Sequence, residues 1–385
     1  MIKKYLIGGF KCFKTSTEFS FSRVNLLTGY NGRGKSSVFQ SLLLLAQSVD
    51  KNSDIEHIEA NGKYVSLGTY SDLLPENKMK ISYDVTTDAG RHIVLAYDKQ
   101  DNWSGKISKL KIDDRDYFES NKVFGSTGEN DQQQVLNTTY PHDITDIFRN
   151  FYFISANRLG PTLYEEKSAV DKTNPLGIHG EHRLNVLAED EHLLKKVATD
   201  VSSIMDGGEM GLKGAKDNLK IADVLDASSD DTVLSLFFKF AYTTKKIKAI
   251  NVGFGYSYIL PIITLINTAK NCTIFIENPE AHLHPKAQAR LMRLICSIPK
   301  ENNVQIFVET HSEHIINAVR LYTLKPEDGI ELLYNDVYIY FFDKDYSIKC
   351  LSMDENAQIA NWPKGFFDQQ ENDLSEILKY GLLKG

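Results

Sequence analysis

The sequence predicts a mixed α/β fold: a core sheet wrapped by helices, an antiparallel β region set into it, and a helical lobe in the second half. Three observations predict it. An apolar strand at 23–27 passes through a glycine-rich loop into a Leu-rich helix at 37–48. Two further strand–helix units follow late in the chain, 272–276 with 285–298 and 304–308 with 312–321. Their strands are short continuous apolar runs, as expected of strands buried on both faces. Between 60 and 120 the apolar residues instead alternate in short runs separated by turn residues, which reads as antiparallel β structure.

In chain order, 1–50 reads as strand, strand, loop, helix. The runs 64–67, 79–86, 92–97 and 107–112 are the alternating strands. Residues 121–140 carry Gly125, Gly128, Asn130 and a Gln132-Gln133-Gln134 run, and read as a mobile loop. A helix at 144–150 precedes a buried strand at 151–154. Residues 160–185, with Pro161, Pro175, Gly177 and Gly180, read as loop. Helices are expected at 189–205 and 233–243, and an apolar helix over 252–269 that begins among glycines. After the two strand–helix units, 332–350 holds alternating strands, then a Trp-Pro-Lys-Gly-Phe-Phe segment and an amphipathic helix near 372–380. No internal repeat or long heptad array occurs. One head of 385 residues is expected, in five parts: 1–59, 60–150, 151–250, 251–330 and 331–385.

Hydrophobic residues make up 42% and charged residues 25%, the balance of a folded globular chain. No apolar run approaches the roughly 20 residues that span a bilayer, and no signal-peptide pattern opens the chain, so no membrane role and a cytoplasmic location are expected. The four cysteines lack metal-ligand spacing and fit reduced thiols. A net charge of −7 excludes a uniformly basic surface, although a local DNA-binding groove stays open.

Gly29-Tyr30-Asn31-Gly32-Arg33-Gly34-Lys35-Ser36 fits G-x-x-x-x-G-K-[ST], a phosphate-binding loop. Its glycines let successive N–H groups face phosphate oxygens, and the following helix adds its positive end. Asn31, Gly32, Arg33, Gly34, Lys35, Ser36 and Ser37 are therefore candidate ATP contacts. Lys35 would reach the β- and γ-phosphates and Ser36 would ligate Mg²⁺. A second contact to the metal is expected from the strand at 272–276, which ends in Glu277 and runs into Asn278-Pro279-Glu280-Ala281-His282-Leu283-His284-Pro285. The next strand ends in Glu309-Thr310-His311-Ser312, which puts a histidine at the same sheet edge.

These motifs together resemble the ABC-type ATPases of the SMC/RecF/OLD branch, often grouped with AAA-family ATPases. The resemblance covers nearly the whole chain and implies an ABC-type ATPase head that uses ATP and Mg²⁺. It makes Glu277 the Walker B carboxylate and His311 the switch histidine that senses γ-phosphate. Asn251 to Ser257 stands where the ABC signature belongs, so Gly253, Gly255 and Ser257 would contact the nucleotide of a partner subunit. Asn157 and Arg158 stand where the Q-loop glutamine would be. Lys11 and Phe13 match positions that contact adenine in the branch, yet as residues alone they read equally as a surface β-turn. Trp362 to Asp368 resembles the closing motif of a prokaryotic subgroup with a C-terminal domain of unknown function. The branch implies a homodimer or higher homo-oligomer formed on ATP, a protein effector, and work in genome maintenance or antiviral defence against phage.

Two departures matter. Asn278 stands where the branch has its water-activating glutamate, and an amide cannot accept a proton at pH 7. Either Glu280 serves as the base, or hydrolysis is slow and the chain is an ATP-gated sensor. No nuclease signature follows: Asp343, Asp345 and Asp354 lie in a strand pattern and a short loop. Bland readings are preferred for a zinc site built from His282, His284, His311, His314 and Glu280, and for the Lys245, Lys246 and Lys248 cluster, which reads as a solvated face.

Overall fold

The computed structural model describes residues 1–50, 55–117, 147–148, 150–169, 174–213, 233–326, 329–363 and 365–382. The loop expected at 121–140 lies outside them, as does most of the helix expected at 144–150.

The core sheet joins β3 (Val24–Gly29), β8 (Phe151–Ile154), β13 (Cys272–Glu277), β14 (Val304–Glu309), β15 (Val337–Phe342) and β16 (Ile348–Leu351) in the order β16-β15-β3-β14-β13-β8. All neighbours are parallel except the terminal pair β15–β16. Every residue of β14 is buried, which explains why these strands read as unbroken apolar runs rather than alternating ones. Register aligns their ends: Glu277 lies opposite Glu309, and Glu309 opposite Leu27. The residues following β3, β13 and β14 therefore meet at one edge. Helices α1 (Lys35–Asp50), α6 (Pro285–Cys296) and α7 (Glu313–Leu324) follow those strands in turn.

A second, antiparallel sheet takes β1 (Ile2–Gly8), β2 (Thr17–Ser20), β4 (Lys80–Thr87), β5 (His92–Lys99), β6 (Gly105–Ile112) and β7 (Arg115–Asp116), in the order β2-β1-β4-β5-β6-β7. β4 alternates buried and half-buried residues, the pattern of a sheet with one face on a core. That core lies over α1, where the Tyr5 hydroxyl donates to Ser41 Oγ at 2.6 Å. Two strands, β1 and β2, therefore precede the strand β3 that leads into the phosphate loop, and both belong to this sheet. Residues 64–67 form no strand. The backbone N–H groups of Tyr64 and Val65 donate to Gln47 Oε1 at 3.1 and 3.0 Å, so a side chain of α1 supplies what a neighbouring strand would. The short helix α2 (Tyr70–Leu73) follows.

The lobe before residue 270 is more mixed than expected. The helix expected at 189–205 is α4 (Glu191–Ile204), which Asp190 caps by accepting from Leu193 N at 3.1 Å; a separate helix, α3 (Arg183–Glu189), precedes it and starts within the stretch expected to be loop. The helix expected at 233–243 is instead the strand β11 (Val233–Lys239). Leu234, Leu236 and Phe238 are buried and alternate along it, a period of two. It pairs with β9 (Glu165–Glu166), β10 (Glu209–Lys213) and β12 (Ile247–Lys248). Helix α5 (Phe254–Thr268) is apolar nearly all round and packs on α4. At the end of the chain, Phe366 packs edge-on against Phe341 of β15 at 4.9 Å. The final helix α8 (Gln369–Leu382) leaves Leu374, Ile377 and Leu378 exposed. Among the described residues, no helix is long and apolar enough to cross a membrane.

Candidate functional site

The loop after β3 curls because two of its glycines adopt backbone angles that other residues resist. Gly29 has φ +120°, and a Cβ there would run into the Phe342 backbone of β15. Gly34 has φ +106°, and a Cβ would stand 2.6 Å from Cys12 Sγ. Helix α1 starts at Lys35, so its unpaired N–H groups open into the loop. Lys35 is 3% exposed, and its Nζ donates to the carbonyls of Gly29 at 3.0 Å and Tyr30 at 2.8 Å. Burial pulls its pKa down, with Glu309 opposing.

A cavity of about 380 Å³ lies over this loop. It is lined by Asn31, Gly32, Gly34, Lys35, Ser36 and Ser37 of the loop and helix start, by Lys11 and Cys12, and by Glu309 and His311. Two expected contacts sit elsewhere. Arg33 turns toward the β15–β16 turn, donating from Nε to the Lys344 carbonyl at 3.0 Å and stacking over the Tyr346 ring at 4.4 Å. Phe13 is buried edge-on against Phe19 at 5.9 Å, so it is core rather than an adenine platform. Lys11 stays at the cavity, with Nζ donating to Gln40 Oε1 at 2.6 Å.

The carboxylates fall differently from the expectation. Glu277 Oε2 accepts from the Ala156 N–H at 3.0 Å, toward β8. Glu309 is the carboxylate at the phosphate loop: Ser36 Oγ donates to its Oε1 at 3.0 Å. Its Oε2 is buried with no hydrogen-bond partner among the described residues. Burial pushes Glu309 up to about 7; Glu277 and Glu280 add to the rise, while Ser36 and Lys35 oppose it. Burial also raises Glu277 and Glu280. Sequence reasoning missed Glu309. The signal was available, because a glutamate ends the strand neighbouring β3, directly before Thr310-His311.

Both oxygens of Glu280 are engaged, accepting from Thr310 Oγ1 at 2.9 Å and the His311 N–H at 2.7 Å. Glu280 therefore holds the His311 loop in place. Burial, and then Lys35, lower the His311 pKa, which favours the neutral ring. Asn278 has φ +44°, its N–H donates to the Glu309 carbonyl at 2.8 Å, and its Oδ1 is buried without a partner among the described residues. Arg158 is buried behind these residues. It donates to the carbonyls of Ser155, Glu277 and Asn278 at 3.1, 2.7 and 2.7 Å, and burial brings its pKa down to about 10. It clamps the end of β13 rather than facing the cavity, while Asn157 is exposed.

The signature segment is reordered. Gly253 caps α5 and is exposed, as is Phe254 at 54%. Gly255 is buried where a Cβ would stand 2.8 Å from the His282 carbonyl. Ser257 lies one turn inside the helix and is 1% exposed. It faces the core, so it cannot reach across to a second subunit as expected; Gly253 and Phe254 are what the segment presents outward.

Among the described residues, no three His, Cys, Asp or Glu side chains are placed to hold a metal on their own. His282 packs on Tyr258 at 4.5 Å and His284 caps α6. Asp343 pairs with Lys349 at 2.8 Å, and Asp345 and Asp354 accept from backbone N–H groups of their own turns.

Comparison with known proteins agrees with this architecture. A family model described as AAA ATPase domain matches residues 74–316, and a protein family of unknown function, DUF3696, matches 332–377. An ATP/GTP phosphatase of Helicobacter pylori is 20% identical over 390 residues, covering 90% of this chain and all of that protein. An uncharacterized protein of Methanocaldococcus jannaschii is 32% identical over 80 residues, 21% of this chain and 68% of that one. The structure of an Smc head bound to the C-winged helix domain of ScpA has a TM-score of 0.53 at 14% identity, with 91% and 98% of the two chains covered. An Smc head domain with an extended coiled coil, bound to the C-terminal domain of ScpA from Pyrococcus furiosus, has a TM-score of 0.51 at 12% identity, with 98% and 99% covered.

Proposed function

The chain belongs to the AAA ATPase domain family, and we propose that it binds ATP with Mg²⁺ in the cavity over Gly29 to Ser37 and hydrolyses it slowly. The observation that carries the reading is the cavity itself: the phosphate loop, Lys35 and Ser36 line it together with Glu309 and His311, and Ser36 Oγ donates to Glu309 Oε1. Lys35 and the α1 N-terminus supply the positive field that polyphosphate needs. The donors beside Ser36 are hard oxygens, one of them a buried unpartnered carboxylate oxygen, and they suit Mg²⁺. The metal would neutralise phosphate charge, and this chain's residues would position it.

His311, kept neutral and held by Glu280, is placed to follow the γ-phosphate. Slow turnover follows from Asn278, which can orient water but not deprotonate it. Glu280 is the weaker candidate for base, since both its oxygens already accept hydrogen bonds. The rival reading, an ATP-gated sensor with negligible hydrolysis, draws on those same two residues. Phosphate release by the full chain separates them. Release above the Lys35→Ala background supports the ATPase, while binding without release supports the sensor. The Helicobacter relative, an ATP/GTP phosphatase by name, favours release.

Two heads would close over nucleotide, the Gly253–Phe254 edge of one meeting the cavity of the other, and gate a protein effector. The Smc heads bound to portions of ScpA support a protein partner of this kind. A role in genome maintenance or in defence against phage, and DNA as a ligand, rest on the family resemblance alone.

A further inference from the structure

We propose that Glu309, and not Glu277, is the protein carboxylate that completes the Mg²⁺ position beside Ser36. The inference rests on the Mg²⁺-ATP reading above and deepens it. Strand order places Glu309 nearer: β14 is the direct neighbour of β3, whereas β13 is one strand further out. At about 4.8 Å between neighbouring strands, Glu277 starts about 10 Å from β3, a gap that a glutamate and a bridging water can still span, so the side-chain contacts decide. Register leaves no slack along the strands, because Glu277, Glu309 and Leu27 stand side by side.

Side-chain contacts divide the two glutamates in the same way. Glu277 Oε2 is tied to the Ala156 N–H, and Arg158 holds the Glu277 and Asn278 carbonyls from behind. That end of β13 is anchored toward β8. Glu309 faces the other way, into the cavity, with Oε1 3.0 Å from Ser36 Oγ. Ligands adjacent to each other around Mg²⁺, with bonds of about 2.1 Å, lie about 3 Å apart. The Ser36–Glu309 pair already has that spacing. Oε2 of Glu309 is buried and has no hydrogen-bond partner among the described residues, a costly arrangement for a carboxylate unless a cation or donor joins it.

This placement also accounts for the neutral Asn278. Its N–H donates to the Glu309 carbonyl, so the two side chains leave adjacent points of the backbone. A glutamate at 278 would bring another negative charge to a position where Glu277, Glu280 and Glu309 already crowd. Asparagine keeps the shape without the charge.

The test is the Mg²⁺ dependence of nucleotide binding, read by equilibrium fluorescence of a labelled ATP analogue in excess Mg²⁺ and in EDTA. The full chain is compared as wild type, Glu309→Gln and Glu277→Gln. Both variants are near-isosteric, and their affinity in EDTA reports whether the pocket is folded. The wild type should gain affinity on adding Mg²⁺. Glu309→Gln should lose about 10- to 100-fold of that gain with its EDTA affinity intact, and Glu277→Gln should change it by no more than a few-fold. Electron paramagnetic resonance with Mn²⁺ in place of Mg²⁺ should show weaker metal retention in Glu309→Gln alone. Glu309→Asp, with a shorter reach, should fall between wild type and Glu309→Gln. Loss of the gain in Glu277→Gln with Glu309→Gln unaffected, or equal loss in both, overturns the assignment. A wild type that binds nucleotide with no gain from Mg²⁺ also overturns it while leaving ATP binding intact. A wild type that binds no nucleotide in either condition overturns the ATP reading as well.

Discussion

Lys35 is threaded into its loop by the Gly29 and Tyr30 carbonyls, so its ammonium is desolvated and positioned before phosphate arrives. Lys35→Ala should therefore cost about 2–5 kcal/mol of nucleotide binding, at least a thirtyfold loss of affinity. An unchanged fluorescence titration would contradict this. Glu280 makes a different prediction. Its bonds to Thr310 and His311 are charge-assisted but only partly shielded from solvent, so Glu280→Ala should lower folding stability by about 1 kcal/mol in chemical denaturation. Glu280→Gln, which still presents an acceptor, should recover part of that loss. If alanine leaves stability unchanged, Glu280 is not the tether of the His311 loop. Residue types alone pointed to the phosphate loop and His311, because their chemistry is carried by the motif itself. Glu309 and Ser257 could not be judged that way. Whether a side chain faces a cavity or a core depends on the neighbouring strand or on helix phase.

At the scale of elements, β13, β14, α6 and α7 were legible to within a few residues, because doubly buried strands and helices that open on Pro285 or are capped by Ser312 carry strong local signals. β11 was not. Its Val-Leu-Ser-Leu-Phe-Phe run is apolar enough to suit either structure, and only the alternating burial of Leu234, Leu236 and Phe238 decides for a strand. Residues 64–67 look like a strand but are satisfied by Gln47, a partner remote in sequence. The C-terminal turn gives an element-scale prediction. Gly365 has φ +79°, and a Cβ there would run into the Tyr30 hydroxyl of the phosphate loop. Gly365→Ala should destabilise the turn by about 1 kcal/mol or more, read as altered fluorescence of Trp362, which packs on Phe366 at 4.6 Å. An unchanged Trp362 signal, measured with Trp103 replaced by Phe, would show that the turn does not lean on Tyr30.

For the whole molecule, sheet register is what turns scattered motifs into a site. It brings the loop after β3 and the ends of β13 and β14 to one edge, while the antiparallel sheet clamps α1 from the other side. Neither Gly253 nor Phe254 lines the cavity, which is why the proposed mechanism needs a second copy. The burial of Ser257 removes it as a probe: Ser257→Arg would force a charge into the core and should unfold the lobe whether or not dimers form. Gly253→Arg is the better probe, since a Cβ at Gly253 meets nothing within 4 Å and the monomer should accept it. The most direct test is light scattering coupled to size exclusion, with and without a non-hydrolysable ATP analogue and Mg²⁺. The wild type should double its mass with nucleotide, and Gly253→Arg should bind the analogue yet stay at its nucleotide-free mass. A wild type whose mass ignores nucleotide, or a Gly253→Arg variant that still doubles, would contradict the shared site.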